Sequence, residues 1–600
     1  MSADWGVSDM AAALPEQPVA PSTSEEPKRP EKPVGDWGQP FNYDYTETDV
    51  DRQWGGNGAV YEWQGEEGEV GPENPELEVQ LFGHPDERFG AGLDISKIYS
   101  INVSQEGEER VLPVFTFEAA GLHPVMLKNV KMSGYETPTP IQKYCIPAIN
   151  MGYDLIAIAQ TGSGKTAAYL IPILNHLMGK AKKLAAPRPT PQEFKEGARP
   201  VRAEPLVLVI CPTRELAIQI FTEARKFCYR TMLRPCVIYG GGPIRDQIQQ
   251  IGRGCDLLIG TPGRLIDIME RGHLMTLRRL RYMVIDEADE MLDTDWQQEF
   301  EKIFTGGEHE ESNVKYMLFS ATFPGAVRRL AREHLATNHL RIRVGRIGST
   351  HENIKQDIVF VRQELKRSAL IDLLYSIQPG RTIIFVNNKR TADEIDDFLF
   401  HKELPCTSMH SDRTQRERED AMRAFRSGKA PLLVATGVTA RGIDVRNVVH
   451  VINYDLPTAD HGGIQEYTHR IGRTGRIGHT GTATSFYTDR DEALAGELTK
   501  ILMETKQPVP DFLQQYIPEG ADPSNFTIED DNSDEEAEGD DPWNAADSKS
   551  AGGEDAGSAN GDAWGTGTPV AESPVAETST TEANVKAESG WGGAESTIQW

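Results

Sequence analysis

Between about residues 115 and 510 the chain repeats one pattern: a short apolar run, a turn containing Gly or Pro, then apolar positions at helical spacing. The runs Asp154–Ala159, Leu206–Cys211, Val237–Tyr239, Asp256–Ile259, Tyr282–Ile285 and Met317–Phe319 predict strands, being too short for helices. After about residue 350 the pattern restarts, with strands predicted at Thr382–Val386, Leu432–Ala435, Val448–Ile452 and Ala483–Phe486. Leu170, Ile173, Leu174 and Leu177 fall on one face of a helix, and 214–226 predicts another. Strands that are apolar throughout are buried on both faces, which predicts parallel sheets covered by helices. The expected fold is therefore α/β with two tandem lobes, 91–345 and 346–515, joined near 345–355. Residues 1–90 and 516–600 lack the pattern and carry few aliphatic side chains, so both are expected to be disordered tails.

Charge sharpens that division. The 600 residues carry a net charge of -29, which as an average argues against a nucleic-acid partner. The first 90 residues hold 20 acids against 5 bases and the last 80 hold 19 against 2, which leaves the middle close to neutral. The acidity belongs to the tails, and a polyanionic partner of the core stays open. Six cysteines without a C-x-x-C pair predict reduced thiols rather than disulfides or a zinc site. No apolar stretch approaches a bilayer span and the N-terminus has no secretory pattern, so no membrane partner is expected. The expected location is cytoplasmic, with the nucleus an alternative.

Three segments carry chemistry. Ala159-Gln160-Thr161-Gly162-Ser163-Gly164-Lys165-Thr166 lies between a predicted strand and a predicted helix and fits a phosphate loop, with Ala159 where a first glycine is usual. Gly162 and Gly164 let backbone N–H groups curl around phosphate oxygens, Lys165 reaches the β- and γ-phosphates, and the Thr166 hydroxyl suits Mg²⁺. A bare glycine turn needs neither Lys nor Thr. Asp286-Glu-Ala-Asp289 follows an apolar strand; Asp286 suits Mg²⁺ and Glu287 an attacking water, facing the loop from a neighbouring strand. His469-Arg-Ile-Gly-Arg-Thr-Gly-Arg476 places Arg473 and Arg476 beside glycines, suited to neutralise charge on a transferring phosphoryl group when the lobes close.

Together these motifs resemble the DEAD-box RNA helicases, most closely the branch that includes Vasa. The resemblance spans about 95–510 and rests on Gly134–Gln142, Ala159–Thr166, Pro212–Ala217, Gly241-Gly242, Thr261–Arg264, Asp286–Asp289, Ser320-Ala-Thr322, Ile383–Val386, Gln415–Arg418, Ala435–Asp444 and His469–Arg476 in the family's order. It implies two RecA-like lobes, ATP with Mg²⁺, and an RNA-dependent ATPase that separates RNA strands locally. By the same resemblance Gln142 reads adenine, Tyr135 packs on the base with Phe117 behind it, and Asp444 meets the ribose. Ser320 and Thr322 couple Asp289 and His469 to closure. RNA lies on Thr213, Arg214, Gly242, Thr261, Gly263 and Arg264 of the first lobe and Arg418 and Thr436 of the second. Such backbone contacts position RNA without reading its sequence.

Two alternatives share these motifs: an ATP-gated RNA clamp whose tails recruit partners, and a DNA helicase on the same core. One feature belongs to none of them. Eight of the nine tryptophans lie in the tails, and five begin a Trp-Gly dipeptide, at Trp5, Trp37, Trp54, Trp564 and Trp591. Exposed indoles that recur in an acidic chain suggest hooks for a Trp-reading partner, and resemble those by which small-RNA pathway proteins bind Argonaute. The competing expectations are low-complexity drift with Trp retained by chance, and docking of the tails on the protein's own core.

Overall fold

The computed structural model describes residues 36–37, 70–83, 102–178, 186–188, 200–292, 296–306, 314–336, 338–345, 353–440, 445, 447–458, 463–475 and 480–520. The first lobe is an eight-stranded sheet: β1 (Val103–Glu106), β2 (Leu155–Ala159), β3 (Val207–Ile210), β4 (Pro235–Ile238), β5 (Leu257–Gly260), β6 (Tyr282–Asp286), β7 (Lys315–Ser320) and β8 (Leu340–Val344). Their spatial order is β1-β8-β2-β7-β6-β3-β5-β4, parallel except where β1 meets β8. The second sheet is wholly parallel, with order β11-β12-β10-β13-β14-β9. Its strands are β9 (Ile354–Phe360), β10 (Arg381–Val386), β11 (Cys406–Met409), β12 (Leu432–Thr436), β13 (Val448–Asn453) and β14 (Gly481–Tyr487).

Every predicted strand is present within two residues of its expected bounds, and β2, β3, β5, β6 and β10 are buried at every position. The strands that the pattern missed lie at or beside sheet edges. There one face meets solvent, as the alternating burial of β8 and β9 shows, and the continuous apolar signal is lost. All six cysteines are free. No helix among the described residues is long and apolar enough to cross a membrane.

The expectation of a structureless tail over residues 1–90 fails at 70–83. Pro75–Phe82 is a helix, opened by Pro75 and capped by Asn74 Oδ1, which accepts from the Leu77 N–H at 3.1 Å. Leu77 and Leu81 enter the core of the first lobe, and Phe82 meets Tyr229 edge-on at 5.8 Å. Glu73 pairs with Lys128 and Arg230. An eight-residue helix is marginal alone and exists through this packing, which a local reading of composition does not register. Trp37 is likewise buried, against the second lobe.

Burial also creates a pH-sensitive point in β13. His450 Nε2 lies 2.8 Å from the Thr484 hydroxyl, and burial pushes its imidazole down to about 4 from an ordinary 6.5. The unfolded chain thus binds more protons between those values, so the contribution is complete above pH 6.5 and is lost as pH falls toward 4. Lowering pH from 7.5 to 5 is expected to remove about 2 kcal/mol of second-lobe stability. In His450→Gln, denaturant titrations at the two pH values should show a correspondingly smaller difference.

Candidate functional site

The loop from β2 to the helix Lys165–Met178 is built around two glycines at positive φ, Gly162 at 75° and Gly164 at 87°. A Cβ on Gly164 would lie 2.7 Å from Gln142 Nε2, so packing as well as backbone conformation requires glycine. Lys165 is buried and donates to the Ala159 carbonyl at 2.7 Å. Gln142 is also buried: Thr139 N–H donates to its Oε1 at 3.0 Å and its Nε2 donates to the Gly164 carbonyl at 3.1 Å. Its amide thus joins the helix Pro140–Asn150 to the loop, a contact the adenine-reading expectation did not include. Phe117 is buried and meets Tyr135 edge-on at 6.5 Å, in keeping with a supporting role.

Asp286 ends β6, which is not adjacent to β2 as the sequence suggested. β7 lies between them and delivers Ser320 to the same edge. Burial raises the Asp286 carboxyl to about 6, against the opposing pull of Lys165. Tyr169, which the sequence reading missed, donates its hydroxyl to Asp286 Oδ2 at 2.9 Å. Glu287 N–H donates to Oδ1 at 3.1 Å. Glu287 holds φ 53°, a conformation rare for a side chain of this size, and its Oε2 is buried without a hydrogen-bond partner among the described residues. Ser163 Oγ is in the same condition. A carboxylate and the Thr166 hydroxyl suit a hard cation, and orphaned oxygens and glycine amides suit a nucleotide phosphate with its water. The residues fit both groups.

Asp289 accepts at Oδ2 from Ala321 N–H (3.1 Å), Thr322 N–H (2.8 Å) and the Thr322 hydroxyl (2.8 Å), and its own N–H donates to Ser320 Oγ. Burial opposes ionisation, but His469, Lys165 and the two hydroxyls outweigh it and hold this carboxyl below its usual range. His469 stands across the cleft, with Nε2 3.9 Å from Asp289 Oδ2 and Nδ1 3.3 Å from Glu290 Oε1. Burial keeps its imidazole below the usual range, with Asp289 opposing. The Thr161 hydroxyl reaches the Gly472 carbonyl at 3.4 Å. The four residues expected to couple the lobes are thus together, with lobe 2 against the phosphate loop. Arg473 is buried, its Nε donating to the His469 carbonyl at 3.0 Å. Arg476 and Asp444 lie outside the described residues.

Of the residues expected on RNA, Arg214 and Arg418 border the same cleft. Thr213 caps the helix Arg214–Phe227, and Thr261 precedes the helix Pro262–Met269. Gly263 has open space where a Cβ would stand, so packing does not demand glycine there. Arg264 donates to Gln247 Oε1 at 2.9 Å and approaches the Gly242 carbonyl, and Thr436 bonds Thr439. Arg214 and Arg418 hold protein partners across the cleft: Arg214 Nη1 donates to Gln415 Oε1 at 3.0 Å, and Arg418 pairs with Glu215 at 2.9 Å. Each would exchange a protein acceptor for a phosphate. Tyr239 adds a third bridge, to Glu419 at 3.3 Å. Glu419 and Glu290 lie outside the motifs read from the sequence, and Glu215 and Gln415 lie within them without a bridging role, because opposite polarity on distant helices becomes a signal only once the lobes meet. Glu215→Ala leaves Arg418 desolvated without its carboxylate, and is expected to separate the lobes of the nucleotide-free protein, read as lower transfer efficiency between dyes on the two lobes. Glu204→Ala, which removes a pair with Arg278 inside lobe 1, should leave that efficiency unchanged.

Comparison with known proteins fits this geometry. Residues 139–330 match the DEAD/DEAH box helicase family and 365–478 the helicase conserved C-terminal domain. The Saccharomyces cerevisiae protein Dbp5, solved with RNA and ADP-BeF3, is 30% identical over 64% of this chain and 93% of its own, with a TM-score of 0.55. The DEAD-box helicase Mss116, solved with single-stranded RNA and UDP-BeF, is 27% identical over 64% of this chain and 75% of its own, also at 0.55. With a phosphate loop, an acidic β6 terminus and a second lobe seated against both, the chain belongs to the DEAD-box family of ATP-dependent RNA helicases.

Proposed function

We propose that this helicase hydrolyses ATP to ADP and phosphate at the lobe 1 edge, and uses lobe closure to separate short RNA duplexes or remodel RNA–protein complexes. The observation that carries the reading is the contact of His469 and Gly472 with Asp289 and Thr161, which links the phosphate loop to the RNA-side arginines through one closed cleft. Lys165 exchanges the Ala159 carbonyl for the β- and γ-phosphates. Gln142 retains a second amide hydrogen and a second lone pair for the adenine edge, while Tyr135 packs on the base and Asp444 meets the ribose. Glu287 orients and deprotonates the attacking water, with Arg473 and Arg476 facing the charge that develops. Thr166 and Asp286 would hold Mg²⁺, which would supply neutralisation of phosphate charge. Tyr169 fixes the Asp286 carboxylate for that role.

RNA follows Thr213, Arg214, Gly242, Thr261, Gly263 and Arg264 into lobe 2 at Arg418 and Thr436. Closure bends one strand past what a partner strand can follow, a deformation of several kcal/mol. The reading extends to the Vasa-like branch, mRNA metabolism and a cytoplasmic location, and to tails whose tryptophans recruit a Trp-reading protein of Argonaute type. The recurrence of Trp-Gly in both tails supports that last element. Trp37 is buried, so the test uses the other four: a pull-down from native extract with the full chain should lose such proteins when Trp5, Trp54, Trp564 and Trp591 become Ala, and identical recovery would sink the tail reading.

Lys165→Ala is expected to abolish ATP binding, and Glu287→Gln to keep ATP and RNA binding while stopping hydrolysis. Arg476→Ala should lower kcat on the order of 10³-fold, the scale of a lost arginine finger. Stopped-flow ATPase measurements check all three, and near-normal turnover of Glu287→Gln overturns its assignment. Unwinding of a short RNA duplex, run beside ATP-dependent RNA retention, separates the helicase from the clamp: retention without strand separation favours the clamp. Stimulation of the ATPase by DNA as strongly as by RNA would favour the DNA-helicase alternative.

A further inference from the structure

Trp37 is 2% exposed, although it lies far along the chain from the second lobe that buries it. Its ring belongs to the apolar cluster of Val361, Leu370, Leu374, Ile395 and Leu399. The indole Nε1–H donates to the Leu374 carbonyl at 3.3 Å, across a separation of 337 residues. Leu374 stands in the last turn of the helix Lys366–Ser376, where the terminal carbonyls lack partners inside the helix. The site therefore makes two demands at once, a large apolar ring and an N–H donor at its edge. Among the bulky apolar side chains tryptophan meets both, whereas Phe, Leu and Met bring no N–H donor.

The sequence around Trp37 is that of a ligand rather than of a core strand. Asp36 is exposed, Gly38 follows, and the tripeptide Asp36-Trp37-Gly38 recurs as Asp4-Trp5-Gly6. We propose that lobe 2 carries a binding site for the tryptophan of a Trp-Gly peptide, and that Trp37 occupies it in cis. The occupant is exchangeable: a peptide of the same sequence enters when Trp37 is removed. Filled in cis, the site also withdraws Trp37 from any other protein that reads Trp-Gly. This goes beyond the proposed recruiting role of the tails and does not depend on it.

The test uses the full-length protein. Hydrogen exchange of the 366–376 amides is measured for wild type, Trp37→Ala, Trp37→Phe and Trp5→Ala, with and without a synthetic peptide of residues 30–44. Trp37→Ala is expected to speed exchange there about tenfold, Trp37→Phe by less, and Trp5→Ala not at all. The peptide should restore protection to Trp37→Ala, and the same peptide with Trp replaced by Ala should not. By fluorescence anisotropy a labelled peptide should bind Trp37→Ala at least about tenfold more tightly than wild type, whose site is filled. Unchanged exchange in Trp37→Ala overturns the site. Failure of the peptide to restore protection, or failure of lobe 2 to fold in Trp37→Ala, makes Trp37 a fixed core residue and overturns the proposal. A peptide of residues 1–12 that restores protection equally well supports it and extends it to Trp5.

Discussion

The cleft depends on one buried carboxylate. Asp289 is removed from water, so its charge has to be met by protein donors, and three of them come from a single turn after β7. That requirement ties the end of β6 to the end of β7. The remaining side of Asp289 faces His469, which arrives from the other lobe. One ionic group therefore fixes the strand edge that carries Asp286 and Glu287 and registers where the second lobe sits. The insertion of β7 between β2 and β6 is what makes this possible, because it places the turn of Ser320 and Thr322 between the phosphate loop and the acidic pair.

Most of the candidate site was legible in the sequence, because each part is a contiguous motif whose chemistry demands particular residues. Glycines at 162 and 164, a lysine and a hydroxyl describe a phosphate loop without reference to anything distant. Parallel strands buried on both faces are equally legible, since burial is written into each run. What the sequence did not disclose depends on neighbours. Tyr169 reads as one more apolar position on a helix until Asp286 is placed beside it. Gln142 carried the right identity, but its contact with Gly164 needs the loop's actual path.

Gly437 shows the same limit from the other side. It stands in the second-lobe motif Ala435–Asp444, and sequence alone offers no reason for glycine there. A Cβ there would come 2.2 Å from Glu466 Oε1 and 3.0 Å from Arg470 Nη2. Those two side chains form a buried ion pair at 2.9 Å, and the Arg470 guanidinium also holds the Asp455 carbonyl and Asn387. A side chain at 437 would displace one member of that charged pair. The helix Pro75–Phe82 follows the same logic, with apolar side chains that are too few for an autonomous element and sufficient once Tyr229 receives them.

The separation between Trp37 and Leu374 carries a consequence for biosynthesis. Ribosomal elongation proceeds at about 5–20 residues per second, so the indole emerges on the order of tens of seconds before its acceptor carbonyl exists. During that interval the first lobe can complete its sheet, and the helix Pro75–Phe82 can find Tyr229, while the tryptophan has no lobe 2 to enter. The nascent chain thus presents an aromatic side chain to solvent for the whole of first-lobe synthesis, open to chaperones and to other chains on the same message. Its burial reports that the second lobe has been made and folded.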